Sequence, residues 1–301
     1  MHADEVDIDA DLVRGLVAAR FPHWADLPIT PVASAGTDNA MFRLGPDLAV
    51  RLPRIPGAAA DVEAEQRWLP KLAPHLPVAI PVVVGAGEPT GDYPWRWSVC
   101  RWLTGCNPQV DALDEPEDLA IDIAEFIAAL RAVNPAGGPV LSRSGRLARR
   151  DEATRAAIDA SRGLVDIDAL HGIWAETVTI AGSAPHAWAH GDLSPGNVLI
   201  DQGRLRAVID FGAFGVGDPT VDLIVAWNLL PAAARPILRA ALDVDDATWA
   251  RGRGWALSIA VIQLPYYRDT NPALAANSRH VLEQIIADQR TVGRANVRPL
   301  G

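Results

Sequence analysis

Lysine is nearly absent from this chain of 301 residues: 26 of its 27 basic residues are arginine, and Lys71 is the exception. With abundant alanine, that bias reads as compositional rather than functional. Cysteine is almost as scarce. Only Cys100 and Cys106 are present, too few to staple a secreted domain of this size, and a reducing cytoplasm is the expected compartment. No stretch approaches the roughly 18 apolar residues that a membrane-spanning helix needs. Basic excess is missing as well: the formal net charge is −10, which argues against a nucleic-acid partner. An acidic surface favours cationic small molecules, although acidity alone chiefly keeps a protein soluble. The opening MHADEVDIDADL holds five acids and no Lys or Arg, unlike a signal or transit peptide. No internal repeat or low-complexity tract is visible.

The pattern of apolar residues divides the chain near residue 104. Before it, a first helix capped by Asp9 or Asp11 carries Leu12, Val13, Leu16 and Val17 at helical spacing. Short strands are predicted over 29–34, 40–44 and 48–52, a meander broken by SAGTDN and GPD. A helix over 59–72 follows, with Asp61, Glu63 and Glu65 early in it, and then apolar runs at 79–84 and 95–103 that read as strands. Beyond 104 the texture is helical: 119–133, 146–163, 165–180, and from Val221 to the end with interruptions at Pro231, Pro236, Pro265 and Pro272. A short strand pair is expected at 198–200 and 207–209. The expected fold class is α+β in two lobes, residues 1–103 rich in strand and 104–301 helical, with a ligand cleft between them.

The chemistry concentrates in HGDLSPGNVLIDQGRLRAVIDFG, residues 190–212. Asp192 and Asn197 put a carboxylate and a carboxamide five residues apart on one loop. This is the interval at which kinases place the acid that accepts a hydroxyl proton and the amide that binds a metal. Asp210 closes the β-branched pair Val208-Ile209 and precedes Phe211-Gly212, a suitable place for a second hard oxygen ligand to magnesium. Phosphoryl transfer asks little more of a protein than alignment of the acceptor oxygen and neutralisation of phosphate charge.

HGDLSPGN, VIDFG and GDPTVDL (217–223), in that order, resemble the aminoglycoside phosphotransferase and choline-kinase-like family, within the wider protein-kinase-like fold. The resemblance covers nearly the whole chain. It implies Asp192 as catalytic carboxylate, Asn197 and Asp210 as metal ligands, Asp222 as buried support for the catalytic loop, and His190 as a structural histidine tying that loop. It also implies ATP as phosphoryl donor, with GTP left open, and Mg2+.

The nucleotide half departs from the family pattern. SAGTDN holds one glycine, so Ser34, Ala35 and Gly36 supply a phosphate-covering loop without the usual glycine repeat. Arg51 stands where such kinases place a lysine; its fork can grip phosphate but is bulkier. Glu65 is its expected partner, Glu63 pointing to another face. Arg101 and Leu103 would offer main-chain groups to adenine, with Cys100 behind the pocket or simply buried. For the acceptor, the candidates are Asp151 with Glu152, Tyr266, Tyr267, Asp269 and Trp227. Carboxylates would suit a polyamine antibiotic and aromatics a choline-type cation. The leading expectation is an antibiotic-type hydroxyl kinase; a metabolic kinase for an amino alcohol or sugar and a nucleotide-binding pseudokinase are the alternatives.

Overall fold

The computed structural model describes residues 6–32, 38–180, 182 and 184–296, with side chains as far as 289. Helix α1 (Ala10–Arg20) begins where Asp9 accepts the N–H of Leu12 at 2.8 Å, and it buries Val13, Leu16 and Val17. Strands β1 (Ile29–Pro31), β2 (Asn39–Leu44) and β3 (Leu48–Pro53) follow, then α2 (Pro56–Leu72), β4 (Val83–Gly87) and β5 (Trp97–Arg101). The five strands form one antiparallel sheet in the order β1-β2-β3-β5-β4. Alternation along a strand sends successive side chains to opposite faces. Val50 and Leu52 therefore join Phe42, Leu44, Val99 and α1 in one apolar cluster, while Arg51 and Ala49 occupy the other face. Arg51 sits mid-strand, paired with Met41 on one side and Ser98 on the other.

The helical part contains α3 (Pro116–Ala132), α4 (Asp151–Ala160) and α5 (Ile167–Val178), then strands β6 (Ala187–Ala189), β7 (Val198–Asp201), β8 (Arg204–Val208) and β9 (Gly215–Gly217). It ends with α6 (Val225–Asn228), α7 (Arg235–Ala241), α8 (Asp246–Tyr267) and α9 (Pro272–Asn296). β7 pairs with β8 and β6 with β9, both antiparallel. A second, larger apolar cluster lies here, built around Phe126, Trp174, Trp188, Trp227 and Trp255. Leu69 and Leu72 of α2 belong to it, and Trp68 stacks obliquely on Trp188 with ring centroids 5.1 Å apart. One end of α2 is thus anchored in the helical part while its beginning lies under the sheet.

Three expectations are corrected. The run 79–84 is not a strand of its own. Ala79 makes one bridge to Ala207, Pro81 has no N–H to give to a ladder, and the strand proper starts at Val83. Pro265 does not interrupt its helix: α8 passes through it and stops at Tyr267. The helix packs against α4, α5 and α9, and that burial offsets the one backbone hydrogen bond a late proline removes. The pair β6 and β9 was not anticipated, since three residues each carry no readable period.

Candidate active site

Strand β6 delivers the chain into His190-Gly191-Asp192. Gly191 has φ +82°, and a Cβ there would lie 2.6 Å from the carbonyl oxygen of Ala213, so only glycine fits. Asp222 is fully buried and takes both ends of this turn: Oδ2 accepts the His190 N–H at 3.0 Å and Oδ1 the Gly191 N–H at 2.8 Å. Burial pushes the Asp222 carboxyl up, while His190 and these two N–H groups pull it back. His190 Nδ1 accepts the Asp192 N–H at 3.2 Å, which leaves Nε2–H to donate to the Ile209 carbonyl at 3.0 Å. One imidazole therefore links the loop carrying Asp192 to the segment carrying Asp210.

Asn197 closes the loop. Its Nδ2 donates to the Asp192 carbonyl at 2.8 Å and to Asp192 Oδ2 at 3.2 Å, and its main chain accepts the Ile209 N–H at 2.9 Å. With the amide nitrogen turned inward, Oδ1 has no protein donor among the described residues. Asp210, at φ +60°, presents a carboxylate that is half exposed. Asn107, unremarked in the sequence, steadies the loop from outside by donating to the carbonyls of Pro195, Gly196 and Val198.

Arg51 spans two acids. Nη1 pairs with Glu65 Oε2, and Nη2 meets Asp210 Oδ1 at 3.1 Å. Glu65 is buried on the inner face of α2, and Glu63, two residues earlier, is exposed. Burial works to lower the Arg51 pKa, but the charges of Glu65 and Asp210 outweigh it and hold the guanidinium firmly protonated. Asp61, one helical turn before Glu65, faces the same spot. A Cβ on Gly212 would sit 3.6 Å from Arg51 Nη2 and from Asp210 Oδ1, and 3.8 Å from Asp61 Oδ2. Burial raises the Asp61 carboxyl, Arg51 opposes this, and Asp210 adds to it. Cys100 lies close enough to Glu65 and Arg51 to feel their charge, its thiol pushed up to about 12 by burial first.

The donor set suits magnesium. Two oxygen side chains, Asn197 Oδ1 and the Asp210 carboxylate, are what an ion that keeps several waters and phosphate oxygens requires. Among the described residues no cluster of three or more His, Cys, Asp or Glu forms a closed metal cage.

Other expected residues fare differently. Ser34, Ala35 and Gly36 lie outside the described residues. The N–H of Arg101 donates to the Val82 carbonyl at 3.2 Å and is not available to a base, which narrows the expected hinge contact to other main-chain groups. Leu103 lies half-buried just past β5. Trp227 is core rather than acceptor surface, fully buried, with Nε1 donating to Asp288 at 2.8 Å. The Asp151 carboxylate is taken by Trp174 Nε1 and Arg155 Nε, both at 2.7 Å, as a first-turn acid on α4. Asp269 pairs with its neighbour Arg268, and Tyr266 stands exposed against the ring of Tyr267. None of Asp151, Tyr266 and Asp269 shares a hydrogen bond or ion pair with Asp192, Asn197 or Asp210 among the described residues. Besides Asn197, a side chain that touches Asp192 is Arg143, whose Nη1 pairs with Oδ1 and donates to the Gly191 carbonyl at 2.7 Å.

The sequence model of the Phosphotransferase enzyme family matches residues 29–255. The chain belongs to this family. Aminoglycoside 3'-phosphotransferase of Streptomyces fradiae is 33% identical over 223 residues, 68% of this chain and 74% of that protein. The Escherichia coli aminoglycoside 3'-phosphotransferase is 29% identical over 126 residues, and the match spans only 45% of its length. Among solved structures, the GDP complex of wild-type aminoglycoside 2'-phosphotransferase-IIIa superposes with a TM-score of 0.74 at 20% identity, covering 94% of this chain and 100% of that one. The apoenzyme of macrolide 2'-phosphotransferase MphH from Brachybacterium faecium gives 0.63 at 23% identity, covering 90% and 98%. At these identities the superpositions establish the fold. No helix among the described residues is long and apolar enough to cross a membrane.

Proposed function

We propose that this phosphotransferase moves the γ-phosphate of ATP, or of GTP, to a hydroxyl group of an aminoglycoside-like or other cationic antibiotic in the cytoplasm. The observation that carries the reading is the joining of two halves at one point: Arg51, held by Glu65, reaches Asp210, while His190 ties the Asp192 loop to the segment bearing Asp210. A donor-phosphate grip and an acceptor carboxylate are thereby set against each other.

Each residue then has a role that its surroundings favour. Arg51 meets the donor's phosphates, and Glu65 keeps its fork aimed. Asn197 and Asp210 would hold magnesium, which supplies charge neutralisation on the phosphate oxygens when bound. Asp192 orients the acceptor hydroxyl. As the acceptor oxygen forms its bond to the γ-phosphorus and the bond to the β-phosphate oxygen breaks, the hydroxyl proton passes to the Asp192 carboxylate and the nucleoside diphosphate leaves. Asp222 and His190 keep the loop in shape without touching the reacting atoms. The assignment of Ser34, Ala35 and Gly36 to the donor's phosphates rests on the family resemblance alone, and Tyr266, Tyr267 and Asp269 remain the candidates for the acceptor's cationic groups.

The test is release of nucleoside diphosphate from Mg·ATP and from Mg·GTP against a panel of aminoglycosides, macrolides and amino alcohols. Turnover with an antibiotic that disappears in Asp192→Ala supports the reading. Turnover only with an amino alcohol or sugar would move the protein to metabolism, and tight nucleotide binding with no transfer at all would refute a kinase.

A further inference from the structure

Arg143 stands outside every motif, yet its guanidinium occupies the carboxylate on which the reaction turns. The backbone places it there. Residues 139–141 run beside β9: the Val216 N–H donates to the Pro139 carbonyl at 2.7 Å, and the Leu141 N–H to the Val216 carbonyl at 3.1 Å. Leu141 is fully buried against three glycines. A Cβ on Gly215 would lie 2.5 Å from the Leu141 nitrogen, one on Gly217 2.9 Å from Leu141 Cβ, and one on Gly191 3.2 Å from Leu141 Cδ1. The spacing of small residues in 213–217 therefore admits this strap. Ser142 pins its end by donating Oγ–H to the Ala213 carbonyl at 3.2 Å. The next residue is Arg143.

We infer that Arg143 is a positioning residue for the phosphoryl transfer, acting through Asp192. The inference rests on the role proposed above for Asp192. A carboxylate on an open loop turns freely about its last torsion. Here Oδ1 is held by Arg143 Nη1 and Oδ2 by Asn197 Nδ2 at 3.2 Å, so each oxygen has its own donor, and the carboxylate, a third exposed, keeps lone pairs for a hydroxyl. The same guanidinium nitrogen also holds the Gly191 carbonyl at 2.7 Å, tying head group and loop backbone into one unit. Both side chains are about a third exposed or less, 26% for Arg143 and 33% for Asp192. An ion pair this open to water adds little to folding stability, so its expected effect is on geometry. Misplacing a reacting group by about 1 Å is enough to lose roughly 100-fold in rate.

Arg143→Met and Arg143→Lys in the full chain test this, with steady-state transfer, the slow hydrolysis of Mg·ATP by water, nucleotide binding and thermal unfolding measured side by side. The Met variant should lose roughly 100-fold in kcat. Its nucleotide affinity should stay within about twofold and its melting temperature within about 2 °C, as expected for a partly exposed ion pair. Lysine keeps the charge but on a shorter, more flexible stem than the guanidinium whose single Nη1 makes both contacts, so it should recover roughly tenfold of that loss. Wild-type kcat in Arg143→Met overturns the inference, and so does a parallel fall in kcat, nucleotide affinity and melting temperature, which would mark a merely structural residue. If the Met variant does not fold, Arg143→Lys decides: wild-type kcat refutes, and a roughly tenfold loss at unchanged nucleotide affinity supports. Failure of this inference is separable from failure of the functional reading. Wild-type transfer with an insensitive Arg143 sinks the inference alone. An inert acceptor panel, with water hydrolysis that falls in Arg143→Met and recovers in Arg143→Lys, sinks the acceptor assignment alone. No hydrolysis or transfer by the wild type sinks both.

Discussion

Removing Arg51 should make the stability of this protein depend on pH in a way that identifies Glu65 as its partner. Glu65 has a side chain only 5% exposed, its Oε1 has no hydrogen-bond partner among the described residues, and its Oε2 is paired with Arg51. Arg51→Met keeps much of the length and removes the charge, leaving a buried carboxylate uncompensated. Breaking a buried pair from one side costs about 3–5 kcal/mol, which for a chain of this order corresponds to a melting-temperature loss of roughly 6–20 °C. The sign of the pH effect follows from the existing shift. Burial already raises the Glu65 carboxyl, and the charge and hydrogen bond of Arg51 are what pull it down, against the negative charges of Asp210 and Asp61. Without Arg51 it rises further. A carboxyl whose folded value lies above its unfolded value leaves the fold most stable below the ordinary glutamate value of about 4.3 and progressively less stable as pH rises through the folded value. The deficit of Arg51→Met relative to wild type should therefore be small near pH 4.5, grow through neutrality and then level off. Adding Glu65→Leu should restore most of it, because replacing both partners by apolar groups leaves no orphan. Thermal unfolding from pH 4.5 to 8.5 reads all three curves. A deficit that is flat with pH, or a double variant no more stable than Arg51→Met, would refute the claim that Arg51 pulls the Glu65 carboxyl down against its burial.

Two further outcomes follow from the geometry. Gly191→Ala forces a side chain to φ +82° and a Cβ to 2.6 Å from the Ala213 carbonyl. It should cost about 1–3 kcal/mol of backbone strain and, by moving Asp192, roughly 100-fold in kcat, read by chemical denaturation and by phosphate transfer on the same sample. Asp288→Ala removes the acceptor of Trp227 Nε1 and the ion partner of Arg235, a residue only 3% exposed. The loss should be about 3–5 kcal/mol in urea unfolding, while kcat per folded molecule holds at low temperature; a simultaneous loss of kcat would mean that this network reaches the site.

What could be read from residues alone follows a physical division. Asp192, Asn197, Asp210 and Asp222 belong to one contiguous stretch of about thirty residues, where local turn chemistry sets the spacing, and there the loop and the strand end came together as expected. Arg51 opposite Glu65 was also legible, from the positions where the family resemblance puts a basic residue and its acid, with the helix period turning Glu63 to another face. Asp61 shares the face of Glu65 and could have been found by the same arithmetic, had the helix dipole not offered a sufficient account of it. Arg143 and Asn107 had no such signal. They reach the site only because the strap beside β9 and the stretch after β5 fold back onto the catalytic loop, contacts that span 49 and about 90 residues. Asp151 and Trp227 illustrate the converse: an acid at a helix start and an aromatic at core spacing carry the composition of a ligand site and serve the fold instead.

That division bears on how the acceptor is chosen. The residues proposed to handle phosphate are local in sequence or anchored by a period, so they constrain one another and leave little room for change. Beside Asp192, the proposed acceptor end, stands an arginine from a distant segment, carried on a strap whose path depends on glycines 191, 215 and 217. A change of strap length or of residue 143 would alter the charge beside the proposed acceptor hydroxyl and the hold on Asp192 together, without touching Asn197 or Asp210. If the chain transfers phosphate as proposed, its acceptor preference should therefore respond to residues 139–146 more than to the conspicuous aromatics at 266 and 267, which a comparison of acceptor profiles for variants at the two places reads.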